Sequence, residues 1–256
     1  MGEPMIDAEA NTKPRRRTRG IVVLLATVVV LAAVVVVADI ALRAYAEDRA
    51  RAEISSSLPD TVDGKVDVAI GGFSFLQQYL SGTFDRVTLD APALSVDGVP
   101  VAAHVEAERV PTDLSKPVGA VSARLSLSED AVNSVIQVPG AAALTLGDQS
   151  VGYDGSISVL GLTLEYLVTA GVSVTADSVV LTPETASLTA GSTVIDASSA
   201  VNAVLDTSIP LCIADRLPQG VTLTSLTVVP GSATVALSAA DFTLDETSLR
   251  SMGTCP

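Results

Sequence analysis

The chain has 256 residues, 48% of them hydrophobic but only 3% aromatic, with no Trp and a formal net charge of −14. Such a composition builds a core from Val, Leu, Ala and Ile, which suits pleated sheet better than a cage of aromatic rings. Residues 1–40 hold five basic side chains against four acidic ones, so residues 41–256 carry −15. An acidic domain of this kind repels phosphate backbones, which excludes nucleic acid as a partner, and it is repelled by anionic lipid surfaces unless a local patch offsets the field.

Residues 21–38 are apolar apart from Thr27. Those eighteen residues at helical rise span about 27 Å, close to the roughly 30 Å hydrocarbon core of a bilayer. Lys13, Arg15, Arg16, Arg17 and Arg19 lie directly before them. The positive-inside rule then places the N-terminus in the cytoplasm and the rest outside. A cleaved signal peptide is the alternative. Ala44-Tyr45-Ala46 is a small-x-small site, but it lies far past an apolar run longer than a usual signal core, so a retained anchor is preferred. A buried core helix fits poorly with the basic flank.

Residues 39–58 remain helix-compatible, with Arg43, Glu47 and Arg51 at i,i+4 spacing. They read as a stalk or a first domain helix, ended by Pro59 and Asp63-Gly64. The expected organisation is a cytoplasmic basic tail 1–20, a transmembrane helix 21–40, a helical stalk 41–58 and an extracytoplasmic β-rich domain 59–256.

Within that domain Val66, Val68 and Ile70 alternate as a half-buried strand. Residues 73–80 form a short amphipathic helix between glycine stops, with Phe73, Leu76 and Leu80 on one face and Tyr79 beside them. Phe84, Val87 and Leu89 open a second strand, and Asp97-Gly98 is a hairpin signal between 93–96 and 99–105. Ser128 caps a helix with Glu129 and Asp130 in its first turn, running to Ile136 and stopped by Pro139-Gly140. Short alternating runs follow at 144–146, 151–160, 162–174, 178–181 and 186–189. Asp196 opens a further helix over 197–205, and a last hairpin surrounds Pro230-Gly231. The expectation is about ten strands and three short helices, with a weak helix-then-strands repeat near 128–181 and 196–240.

Cys212 and Cys255 are the only cysteines. Outside the cytoplasm a pair so far apart reads as one disulfide, with two buried thiols as the alternative. His104 is the only histidine and sits in a strand, where a surface or structural role is the usual one; it cannot complete a zinc site with the cysteines. G-x-S-x-G, P-loop and G-x-G-x-x-G patterns are absent, so no enzyme activity, metal or cofactor is expected. Glu129-Asp130 reads as helix N-terminal charge, and Glu47-Asp48 and Asp245-Glu246 as solvated surface. A carboxylate couple assembled only by folding is left open.

The stretch 71–98, GGFSFLQQYLSGTFDRVTLDAPALSVDG, resembles the LmeA-like family of actinobacterial envelope phospholipid-binding proteins. Gly72, Phe75, Leu76, Gln78, Leu80 and Gly82 fit the family's G-x-P-F-L-x-Q-x-L-x-G-like helix, with Ser74 where a proline is common. The segment 217–228, LPQGVTLTSLTV, resembles the family's closing L-P-x-G-hydrophobic strand. The resemblance implies an α+β, β-rich fold. A transmembrane helix would lead into an elongated, curved antiparallel-sheet domain with a few short helices, of the tubular lipid-binding kind. It also implies phospholipid as the partner, notably of the phosphatidylinositol type, and a supporting role in lipomannan and envelope glycolipid assembly alongside glycolipid-synthesis proteins at the inner membrane.

A sheet lined with Val, Leu and Ala on one face could shelter acyl chains. Phe73, Phe75, Leu76, Tyr79, Leu80 and Phe84 are then the candidate lipid-binding residues, as the mouth of a groove or a part that dips into the bilayer. The alternative is that these side chains simply pack on the sheet. At the level of function the alternative is a non-catalytic structural or protein-interaction module of the cell envelope.

Overall fold

In the computed structural model, which describes residues 15–59, 61–135, 141–159, 162–190, 193–196 and 208–255, one unbroken helix α1 (Arg15–Ser57) carries the apolar stretch straight into the domain. Its segment Gly20–Ser57 is long and apolar enough to cross a membrane, and none of that window is buried by the protein. This is compatible with a single-pass membrane anchor. The expected stalk is therefore the outer part of the same helix, and it packs on the domain. Ala50, Ile54 and Leu58 lie on a cluster of Val66, Val68 and Ala91. The expected Arg43–Glu47–Arg51 ladder does not form. Arg43 faces Asp39 and Arg51 faces Asp48 and Asp67, while the Glu47 carboxylate accepts from the Ile70 backbone N–H at 2.8 Å. An unpaired strand-edge donor is a better partner than a solvated arginine, because its only alternative is water.

Strands β1 (Val62–Gly64) and β2 (Asp67–Ile70), helix α2 (Phe75–Ser81) and strands β3 (Thr83–Val96), β4 (Val99–Pro111) and β5 (Val118–Ser128) come next. Helix α3 (Glu129–Val135) leads to β6 (Ala141–Leu146), β7 (Ser150–Val159), β8 (Leu162–Val174), β9 (Ser178–Ala190) and β10 (Thr193–Asp196). The chain ends with β11 (Ile209–Cys212), a 3₁₀ turn (Ala214–Arg216), β12 (Thr222–Val229), β13 (Ser232–Phe242) and helix α4 (Glu246–Arg250). A seven-stranded sheet has the order β1-β3-β4-β5-β13-β12, with β2 also on β3. A six-stranded sheet has the order β10-β9-β8-β7-β6, with β11 also on β9. All recorded pairings are antiparallel, and both sheets are open rather than closed into a barrel.

Local chemistry explains most of the boundaries. Asp97 and Gly98 both have positive φ, 52° and 82°, and join Val96 to Val99 as a two-residue hairpin of the primed type. The Ser128 hydroxyl accepts from the Ala131 N–H, so the expected cap of α3 is present. Helix α4 was not expected. Asp245 caps it by accepting from the Ser248 N–H at 2.6 Å, so this carboxylate is a structural cap and not merely solvated surface. The two runs expected at 178–181 and 186–189 are one strand through Pro183. Its outer edge pairs with β11 over 178–181 and with β10 over 187–190, and the missing proline N–H falls between those two partners. The helix expected over 197–205, the Pro139-Gly140 stop and most of the basic tail lie outside the described residues.

The second sheet meets the first along β12. The Gln149 N–H donates to the Val228 carbonyl, and the Leu223 N–H donates to the Ala176 carbonyl, each at 2.9 Å. Leu146 and Val172 pack there against Val228 and Ala233. Cys212 and Cys255 form the expected disulfide, with Cα atoms 5.9 Å apart.

Candidate functional site

Side chains alternate across each strand, so the pairing register assigns a face to every residue of the larger sheet. Glu106, His104, Ser122, Arg124, Ser126, Thr234 and Ser238 share one face across β4, β5 and β13. Val101, Ala103, Val105, Ala107, Val121, Ala123, Leu125, Leu127, Val235, Leu237 and Ala239 share the other. On the polar face His104 pairs across strands with Asp90, and Arg86 bridges Glu106 and Glu108. His104 therefore has the cross-strand structural role expected of it. The aliphatic face is the candidate site. None of those eleven aliphatic side chains is fully buried, although a sheet face of this composition ordinarily lies against another layer.

The trough has walls on three sides. The outer part of α1 covers the β2–β3 side. The joint with the second sheet, built from Leu146, Val172, Val228 and Ala233, closes the end away from α2. On the β13 side stands the segment after the 3₁₀ turn, with Leu217, Pro218 and Val221, together with Phe242 and Leu244. The Gln219 N–H donates to the Ser251 carbonyl at 2.7 Å and the Gly253 N–H to the Leu217 carbonyl at 2.9 Å. The disulfide therefore pins the base of this wall. Between wall and sheet floor lies a cleft of about 240 Å³, lined by Val121, Ala123, Leu237, Ala239, Phe242 and their neighbours. A larger hollow of about 660 Å³ sits on the polar face. Its Glu106 and Glu108 carboxylates would repel a phosphate, and its lining mixes Ser and Thr with Ala and Val, so the smaller apolar cleft is the better lipid site.

The structure divides the sequence-derived candidates into two groups. Phe75 is buried, with its ring 5.6 Å from Phe84 and 6.1 Å from Tyr79. Leu76 and Phe84 are half-buried. Phe73, Leu80 and Tyr79 point into solvent at 95, 83 and 59% exposure. Phe73 lies just before α2, because Ser74 is the N-cap and accepts from the Gln77 N–H. None of the six lines the apolar cleft.

Helix α2 is held from three directions. Gly72 and Gly82 have φ of 95° and 82°, and at Gly72 a side chain would also collide with the Gln78 amide. Gln78 is buried and fully bonded. Its amide donates to the Gly71 carbonyl at 3.0 Å and the Ser74 carbonyl at 3.1 Å, and its oxygen accepts from the Asp85 N–H at 2.7 Å. Asp39 of α1 accepts from Ser74 Oγ at 2.7 Å, the Phe75 N–H at 3.1 Å and the Leu76 N–H at 2.8 Å. A proline in place of Ser74 could not make the first of these bonds. Gly72, Gly82 and Gln78 thus shape and fasten a knob rather than form a groove.

No curated protein and no solved structure matches the chain. A family model matches it over residues 37–238, a span that starts just before Asp39 and takes in α2, the open aliphatic face and the LPQG wall. The chain accordingly belongs to the LmeA-like phospholipid-binding family.

Proposed function

We propose that the chain is a membrane-anchored, extracytoplasmic phospholipid-binding protein that shelters an acyl chain on the aliphatic face of its larger sheet. The observation that carries this reading is that face itself, walled on three sides and ending in an all-apolar cleft. Leaving a sixteen-carbon chain in water costs about 13 kcal/mol at roughly 0.8 kcal/mol per CH₂. A cleft of about 240 Å³ is below the roughly 300–1,000 Å³ of a pocket for a whole small ligand. It takes one end of an acyl chain, and the remainder lies along the half-covered trough. The headgroup stays outside, away from the acidic polar face.

In this proposal the basic segment stays in the cytoplasm, α1 crosses the membrane and the rest is extracytoplasmic, as the positive-inside rule requires. Binding rather than catalysis is the activity. Transfer between membranes, a phosphatidylinositol-type ligand and support of envelope glycolipid assembly rest on the family resemblance. Identifying the lipids cross-linked to the cleft tests them.

The binding test uses the full chain in vesicles containing a phospholipid with a photoactivatable acyl tail. Labelled peptides are expected from 217–221 and 237–244. Ala239→Trp fills the cleft and should lower that labelling by roughly tenfold, the loss expected when about 1.4 kcal/mol of apolar contact is removed. Ala240→Trp, on the opposite face, should leave it unchanged. Labelling confined to α1 and indifferent to Ala239→Trp would refute the carrier reading.

A further inference from the structure

The exposed tip of α2 has an occupant that the geometry of α1 identifies. Residues 71–84 include no charged side chain, in a region whose residues 41–256 sum to −15. Within this neutral stretch Phe73 is 95% and Leu80 is 83% exposed. Leu114 is also exposed, on the β4–β5 loop that the Thr112 N–H ties to the Gly82 carbonyl at 3.0 Å. A patch of this kind marks an interaction surface.

Its height on the molecule is fixed by named contacts. Asp39 is the first charged residue after the apolar stretch, and it is this side chain that binds the Phe75 and Leu76 N–H groups. One turn further out Arg43 donates to the Gly72 carbonyl at 3.1 Å and the Phe73 carbonyl at 3.4 Å. Further still, Glu47 meets Ile70 and Arg51 meets Asp67. β2 therefore runs back down α1 toward the apolar stretch, and α2 lies at its lower end. A helical turn rises 5.4 Å, so Phe73 sits within about one turn of the end of the segment that fits the hydrocarbon.

We propose that α2 and Leu114 form a foot seated in the outer leaflet of the same membrane that α1 crosses. Phe73 and Leu80 enter the acyl region and Tyr79 lies at the headgroup level, where its ring and hydroxyl are both satisfied. Asp39 and Arg43 are positioning residues that lock the foot to the anchor. A neutral apolar foot lets an acidic domain lie on an anionic surface that its net charge would otherwise repel. The sheet ends carrying Thr83, Pro111, Val118 and Phe242 share this side of the domain, so the foot also sets the acyl cleft beside the bilayer. The inference rests on the reading of α1 as an anchor and not on occupancy of the cleft.

The chain has no Trp, so an introduced one reports alone. Full-length Phe73→Trp, Leu80→Trp and Thr227→Trp are reconstituted in vesicles of phosphatidylcholine and phosphatidylglycerol, with or without brominated acyl chains. Thr227 is exposed on the β12 edge, at the end away from α2. The first two are expected to show blue-shifted emission and roughly threefold stronger quenching than Thr227→Trp, as for residues buried about 5–10 Å into the interface. Adding Asp39→Ala should reduce the quenching of Phe73→Trp while the Cys212–Cys255 disulfide still forms. Water-like emission and quenching no greater than at position 227 would overturn the foot, including the case in which a protein partner covers it. Quenching unchanged by Asp39→Ala would overturn the clamp. Acyl photolabelling of the cleft is independent of both readouts, so failure of the carrier reading is distinguishable.

Discussion

Gln78 shows how much one buried polar side chain can hold. Its amide closes three backbone groups, on Gly71, Ser74 and Asp85, and thereby joins α2 to β3. Replacing it by Leu keeps the volume but orphans those groups, so Gln78→Leu should destabilise the domain by about 2 kcal/mol; chemical denaturation measures this. Asp177 acts similarly in the turn between β8 and β9. Hydrogen bonds from the Thr175 hydroxyl and then the Ser178 hydroxyl hold its carboxyl below its ordinary value. A depressed carboxyl stabilises the fold fully above the unfolded value of about 3.9 and loses that effect as pH falls through its lowered value. Asp177→Asn should therefore melt lower than the parent at pH 7, with a gap that holds down to about pH 4 and closes in stronger acid. A gap that instead widened on acidification would contradict the assignment.

The element that ties the wall of the cleft to the body is the disulfide. Cys212 is the last residue of β11, which pairs with β9, and Cys255 lies 43 residues further on. Closing a loop of that length removes about 4 kcal/mol of chain entropy from the unfolded state. Cys212→Ser with Cys255→Ser should lower stability by a comparable amount, read by denaturant titration. It should also raise proteolytic cleavage near 213–221, because the wall's remaining ties there include only a few backbone bonds to 251–253. Much of the element level was legible in the sequence. The Asp97-Gly98 hairpin, the Ser128 cap and the cysteine pair are each decided by neighbouring residues or by redox chemistry, and all are present. The departures came where a distant partner intervened. Glu47 left its helical ladder for the Ile70 N–H, and Pro183 lay inside a strand because the two outer partners leave a gap at that position.

At the scale of the whole molecule, the proposed topology rests on the charge asymmetry across the apolar stretch. Changing Arg15, Arg16, Arg17 and Arg19 to Glu should abolish export of the domain, because orientation follows cytoplasmic Lys and Arg. A C-terminal alkaline phosphatase fusion, active only outside the cytoplasm, should lose most of its activity in that variant and keep it in the parent.

Residue order alone determined an apolar stretch of crossing length, the acidic charge of the domain after it, the alternation of aliphatic and polar residues and the short α2 helix to within two residues. Each depends on spacing within a few residues, where backbone geometry is fixed. Only the tertiary structure decided which aliphatic face is left half-covered among the described residues, and which aromatics turn inward as Phe75 and Phe84 do or outward as Phe73 and Tyr79 do. Alternation says that a strand has an oily side. What lies against that side depends on strands more than a hundred residues apart, such as β5 and β13, and on a helix clamped by Asp39 from 35 or more positions away.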